Sequence, residues 1–219
     1  MSLSEADLVA KIEIYLQKKF DTNLTFREVS AGYGIADLVI APSETDSEMG
    51  ERHPITNFGI LKYYLELNKK KYSYGELLSS AKFTSEQETK KYISFLIKNN
   101  YLTTSDRITY KKNNILSNGS FQKIIAIEAK LTDYKNGIIQ AKRYQYFADQ
   151  SYLAILKSAS KNIDIKDLTM SGIGLILFDE KTENIKIIKP KACSNVQEKI
   201  YKIFAGELML SRINLSSAS

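Results

Sequence analysis

The 219-residue chain is poorest in the residues on which most hydrolytic side-chain chemistry depends, with one cysteine, Cys193, and one histidine, His53. A lone cysteine excludes an internal disulfide and any cysteine-rich zinc site. The histidine stands in a polar loop beside Pro54, and neither residue reads as catalytic. Triads of the Ser-His-Asp type and most zinc sites need histidine or cysteine, so hydrolysis by this chain has to run on carboxylates, lysine and a hard metal ion. Apolar runs long enough to span a bilayer are missing too, and the N-terminus lacks the charged-then-apolar layout of a secretion signal; a cytoplasmic location without membrane association is expected. The remaining composition, 43% hydrophobic and 26% charged, is that of an ordinary globular protein of one or two domains.

Against this background, charges set inside apolar runs stand out. The segment 121–130 alternates with a strand's period of two and ends Ile127-Glu128-Ala129-Lys130, so Glu128 and Lys130 leave the same face of a strand that is otherwise Ile and Ala. Asp37 poses the same problem in Gly34-Ile35-Ala36-Asp37-Leu38-Val39-Ile40. An uncompensated buried charge costs several kcal/mol, so these groups must pair, bind a metal or do chemistry. Two carboxylates make a hard-cation site, and a lysine beside them makes it a hydrolytic one.

The order of elements read from periodicity is a helix at 3–20, strands at 24–30, 35–41 and 121–130, a helix at 137–149 and a strand at 152–156. With Asp37, Glu128-x-Lys130 and a downstream Gln140-Ala141-Lys142-Arg143-Tyr144, this order resembles the restriction-endonuclease-like PD-(D/E)XK phosphodiesterases over about residues 1–53 and 115–205. The sequence departs from the motif at Ala36, where the family name has proline. The resemblance implies an α/β fold, a restriction-endonuclease-like central mixed sheet flanked by helices. It also implies a metal-dependent nuclease using Mg2+ or Mn2+, with Asp37, Glu128 and the Ala129 carbonyl as ligands and Lys130 acting on the attacking water or the developing charge. Gln140 would hydrogen-bond a phosphate or a metal-bound water, with Tyr144 as its buttress; Tyr144 also reads as plain core. Arg143 and Lys142, to the side of this stripe, are candidates for backbone contacts.

The gap between Asp37 and Glu128 is longer than that family needs, so something has been inserted. Residues 43–51 read as a polar mobile loop. After Pro54 come a helical pattern at 55–67, a short helix at 74–78, a helix at 84–99 opened by a capping box at Thr84, and a hairpin of 101–104 with 107–111. Three helices and a hairpin resemble a small winged helix-turn-helix domain. The domains are therefore 1–53 and 115–219 for the nuclease-like part and 54–114 for the insertion. From residue 69 to 112, ten lysines and arginines face four acids, a net +6 that equals the whole chain's. Interleaved tyrosines make this a candidate phosphate-contacting surface, with Gln87, Lys90, Lys91, Ser94, Arg107, Lys111 and Arg143 as candidate contacts; simple solvation by lysines is the alternative. DNA is the expected partner, and a homodimer is left open. A catalytically silent DNA-binding regulator and an RNA nuclease are the competing functions.

Glu5 has two readings. It falls in the apolar stripe of the first helix, where an acid assists the metal site in the resembling family, and it also completes a Ser2-Leu3-Ser4-Glu5 capping box, which the local pattern favours. The remainder reads as structural: a strand at 171–178 in which Gly172 and Gly174 mark close backbone packing, a turn at 179–184, a partner strand at 185–189, an amphipathic helix at 196–204 and a frayed polar tail at 211–219.

Overall fold

The computed structural model describes residues 3–42, 52–82, 84–116, 120–191 and 196–217. The loop 43–51 and Cys193 lie outside the described residues. Helix α1 (Glu5–Phe20) is followed by the antiparallel hairpin β1 (Thr25–Ser30) and β2 (Ile35–Ile40). After the inserted segment come β6 (Ile125–Lys130), α5 (Tyr134–Tyr144), β7 (Gln150–Leu156), a 3-10 turn (Lys157–Asn162), α6 (Ile165–Met170), β8 (Ile173–Phe178), β9 (Ile185–Ile188) and α7 (Lys199–Ser217). The six strands form one mixed sheet in the order β1-β2-β6-β7-β8-β9, parallel only across β6, β7 and β8. Parallel strands need a crossover, and α5 supplies the one between β6 and β7.

Helices cover both faces. Leu8, Ile12 and Leu16 of α1 pack on Leu38, Ile40, Ile125, Ile127 and Ala154. Tyr144 and Phe147, with Ala205 and Met209 of α7, pack on Phe26, Val39 and Ala126 from the other side. The inner strands β2, β6, β7 and β8 thus send alternate residues into different cores, as a sheet buried on both faces requires. No helix among the described residues is long and apolar enough to cross a membrane.

The inserted segment holds α2 (Phe58–Glu66), β3 (Lys71–Ser73), α3 (Tyr74–Ser79), α4 (Glu86–Lys98), β4 (Leu102–Thr103) and β5 (Thr109–Lys112). Its three strands form a separate antiparallel sheet in the order β3-β5-β4. Leu61, Tyr64, Leu77, Ile93, Leu96 and Tyr110 form its core, and Ile203 of α7 enters that core as well. A buried ion pair ties the regions together. The Glu207 carboxylate, fully buried on α7, accepts from Arg52 (Nη1 at 2.6 Å, and Nη2), from Ser120 Oγ at 2.5 Å and from the Ile55 amide at 2.8 Å. Arg52 also donates to Tyr101 Oη at 2.6 Å.

Several expectations need correction. The capping box of α1 is Ser4 with Asp7, not Ser2 with Glu5: Asp7 sits three residues after the cap, where its carboxylate reaches the Ser4 amide at 2.9 Å. Helix α4 is capped by Ser85, not Thr84, with the Ser85 hydroxyl accepting from the Glu88 amide. Strand β3 and helix α6 were not read from the sequence. The tail from 211 does not fray but continues α7 to Ser217, with Arg212 donating to the carbonyls of Arg27 and Glu28.

Candidate active site and nucleic-acid interface

The β2–β6 ladder stops at Leu38 opposite Ile127. Two residues beyond Ile127, the Ala129 amide that a longer ladder would have used donates instead to Asp37 Oδ2 at 2.7 Å. A strand residue's N–H and C=O point toward the same neighbour, so the Ala129 carbonyl faces the same opening as Asp37. This is where the two strands part, and the sequence places its charges on that edge.

Glu128 leaves β6 on the α5 side and is 1% exposed. Its Oε2 accepts from the Tyr144 hydroxyl, and its Oε1 lies 2.6 Å from the Lys130 ammonium. Oε1 has no hydrogen bond of good geometry with any described residue, so the lysine offers it charge rather than a well-aimed proton. Tyr144 also donates to the Ile35 carbonyl at 2.6 Å, which fixes the phenol against the start of β2. One hydroxyl proton thus serves two acceptors, and Glu128 is held without being saturated. On the far side, Lys130 lies 3.9 Å from Glu5, whose Oε1 receives the Leu131 amide at 3.4 Å. Freed from the cap by Asp7, Glu5 joins the edge of the site.

The electrostatics follow from this packing. Burial pushes the Glu128 carboxyl above the usual carboxylate range, against the pull of Lys130 and Tyr144, and the charge of Asp37 adds to the rise. Burial likewise raises Asp37, outweighing the Ala129 amide and Lys130. Burial would lower Lys130, but the close Glu128 carboxylate, with Glu5 and Asp37, prevails and raises it. Tyr144, driven far up by burial and then by Glu128, stays a phenol.

Helix α5 presents a single face to this cluster. A Cβ on Gly137 would meet Lys130 Cγ at 3.0 Å, so the glycine lets the lysine stem lie against the helix. Gln140 is three residues after Gly137 and four before Tyr144, on the turn between the contact to Lys130 and the contact to Glu128. It is half-buried and makes no hydrogen bond with a described residue. Arg143 and Lys142 are exposed on the flank. Asp37, Glu128, Lys130 and Glu5 are thus brought together, and Gln140 lies on the face of α5 that Gly137 and Tyr144 turn toward them. The donor set suits a hard divalent ion: two carboxylates, a free carbonyl direction and an under-bonded buried oxygen. Among the described residues no group of three His, Cys, Asp or Glu side chains is spaced to share one ion. Mg2+ characteristically uses one or two carboxylates and keeps its waters, so the arrangement fits it.

In the inserted segment, Gln87, Lys90, Lys91 and Ser94 lie exposed along one side of α4, opposite buried Thr89, Ile93 and Leu96. Lys90 is paired with Glu86 at 2.6 Å, and the Ser94 hydroxyl returns to the Lys90 carbonyl at 2.8 Å. Arg107 marks the tip of the β4–β5 hairpin with φ 60°, beside exposed Ile108. Lys111 stands directly across from Lys71 of β3, both exposed. Like charges opposed on a sheet destabilise it in isolation and are relieved by a bound anion. Not every lysine of the basic tract is free for such a role: Lys69 pairs with Glu76 at 2.7 Å, and Lys112 turns inward to the Leu67 carbonyl at 2.5 Å. Sequence reasoning missed the Lys71–Lys111 opposition because β3 is only three residues long.

No family model, curated protein or solved structure matches the chain.

Proposed function

We propose that the chain is a metal-dependent nuclease of the PD-(D/E)XK type, with the inserted segment acting as a winged-helix nucleic-acid contact. The observation that carries this reading is the buried, under-bonded Glu128 beside Asp37 and Lys130 at the point where β2 and β6 separate. The helix, strand, helix, helix and two-strand order of the insertion, with sheet order β3-β5-β4, supports the second part. A silent scaffold has no physical reason to keep charges that raise one another's cost.

In this reading Asp37, Glu128 and the Ala129 carbonyl hold a Mg2+ or Mn2+ ion. Bound there, the ion would polarise the scissile phosphate and lower the pKa of a coordinated water. Tyr144 keeps Glu128 aimed through its hydroxyl. Lys130, raised and therefore protonated at neutral pH, orients the attacking water or stabilises charge developing on phosphorus. Gln140 donates to a phosphate oxygen from the α5 face, and Glu5 sets the outer position of Lys130. The opposed Lys71 and Lys111, with Arg107, Lys90 and Lys91, neutralise phosphates of the bound strand.

The test is cleavage of plasmid DNA and of hairpin RNA with Mg2+ or Mn2+, against the same reactions in chelator. Metal-dependent DNA cleavage is the expected result, and cleavage of RNA alone would make the chain a ribonuclease. Binding of DNA without cleavage of either, across varied sequences and end structures, would replace the enzyme by a binding protein on a nuclease-like scaffold.

A further inference from the structure

The β1–β2 ladder has one gap, and it falls at the candidate site. Arg27 pairs with Leu38 and Val29 with Ala36, while Glu28 and Asp37 stand opposite each other without pairing. Residues three apart on a regular strand leave opposite faces, yet Phe26 and Val29 enter the same core, and so do Ala36 and Val39 across from them. Both strands therefore turn over within these spans, around Glu28 and Asp37. In β1 the backbone change is plain: Glu28 takes φ 52°, in the left-handed region. A glutamate is disfavoured there by about tenfold or more, because its Cβ crowds the following carbonyl. In β2, Asp37 reaches sideways to the Ala129 amide of β6.

Arg212 holds the strained backbone from outside. Its guanidinium donates through Nη1 to the Arg27 carbonyl and through Nη2 to the Glu28 carbonyl at 3.0 Å. Successive carbonyls of a regular strand point to opposite edges, so one planar fork takes both only where the chain turns over. The fork is itself fixed, since the Glu207–Arg52 pair anchors α7 and Asn214 donates to the Arg52 carbonyl at 3.3 Å. The Glu28 side chain is exposed and makes no hydrogen bond or ion pair with a described residue. What the fold keeps at this position is a backbone shape.

We infer that Arg212 is a positioning residue for Asp37: its fork selects the left-handed turn at Glu28, and that turn aims the Asp37 carboxylate at the opening between β2 and β6. The inference rests on the nuclease reading, in which Asp37 holds the cation. Because β1 lies at the edge of the sheet, an arginine there also blunts a free strand edge. Blunting needs only one outward carbonyl, and the capture of two consecutive ones is what ties Arg212 to the turn.

Mn2+ binding to the full chain, followed by the electron paramagnetic resonance of the free ion, tests this together with plasmid cleavage. Arg212→Ala is expected to weaken Mn2+ binding by about tenfold and to slow cleavage, and Arg212→Lys to do the same, because an ammonium cannot span both carbonyls. Glycine adopts the left-handed conformation without penalty, so in a Glu28→Gly background Arg212→Ala should change Mn2+ affinity by less than about twofold. In a Glu28→Ala background, which removes the carboxylate but keeps the Cβ, the full loss should return. A loss of the same size in the glycine background, or a Glu28→Gly chain that itself no longer binds Mn2+, would overturn the inference. Wild-type chain that binds no Mn2+ would remove the nuclease reading and this inference with it, whereas wild-type binding and cleavage matched by Arg212→Ala would remove this inference alone.

Discussion

Two buried carboxylates, Glu207 and Glu128, each face a cation, and their surroundings differ in one respect. Glu207 receives two guanidinium contacts, a hydroxyl and a backbone amide, so every lone pair of consequence has a donor. Glu128 receives one shared phenol proton, and its other oxygen meets only the lysine charge. A saturated buried ion pair is a joint: it fixes the inserted segment to α7 and leaves nothing for a ligand. An unsaturated one is a socket, at some cost to the fold.

Breaking the joint should have the largest effect. Arg52→Ala leaves Glu207 charged and unpaired in the core, and the expected loss in chemical denaturation is about 3–5 kcal/mol. A loss below about 1 kcal/mol, within the range of ordinary surface substitutions, would show that the network is no joint.

Emptying the socket should instead change chemistry. Glu128→Gln is expected to leave stability nearly unaltered while metal-dependent cleavage disappears, and Lys130→Ala should slow cleavage by about a hundredfold or more. A Glu128→Gln protein that unfolds as readily as Arg52→Ala would erase the distinction between the two carboxylates.

Asp37→Asn sharpens the comparison through pH. Asp37 and Glu128 are raised above the unfolded carboxylate range, so the folded chain holds their protons longer. Their contribution to stability is fully present below that range and is lost as pH rises through the folded values. The metal-free protein should therefore weaken above the carboxylate range. Asp37→Asn should flatten that slope and add about 0.5–2 kcal/mol at neutral pH while abolishing cleavage. Unchanged pH dependence of thermal melting in the variant would assign the slope to other groups.

The smallest expected effect is on the insertion. Lys71→Gln and Lys111→Gln should each reduce the salt dependence of DNA affinity by about one unit of slope, because each removes one phosphate contact. An unaltered slope in both would mean that these lysines only solvate their sheet.

The difference between joint and socket also explains what the sequence disclosed. Glu128 and Asp37 were legible because they interrupt short apolar strands, where period-two alternation leaves no doubt about the face. Glu207 obeys the same rule, sitting in Ala205-Gly206-Glu207-Leu208-Met209-Leu210, and the same question put to it would have flagged a buried acid. Its partner was not legible: Arg52 lies 155 positions away in a polar loop with no periodicity. The length of α7 was hidden for a related reason, since Arg212 looks solvent-facing until it donates to the carbonyls of Arg27 and Glu28 on β1. Glu5 was misassigned to the cap because two serines, Ser2 and Ser4, each have an acid three residues on, and the helix starts after Ser4, which makes Asp7 the capping acid. Helix α6 and strand β3, six and three residues long, are too brief for a periodic signal.

The early end of the β2–β6 ladder has one more consequence. The Ala129 amide is protected by a carboxylate side chain and not by a neighbouring strand, so its exchange with solvent depends on where that side chain is engaged. Anything that draws Asp37 elsewhere, a proton or a cation, alters the shielding of one backbone hydrogen at the point where β2 and β6 separate. On the proposed reading, exchange at this single peptide group would report a cation bound at Asp37 without any substrate being turned over.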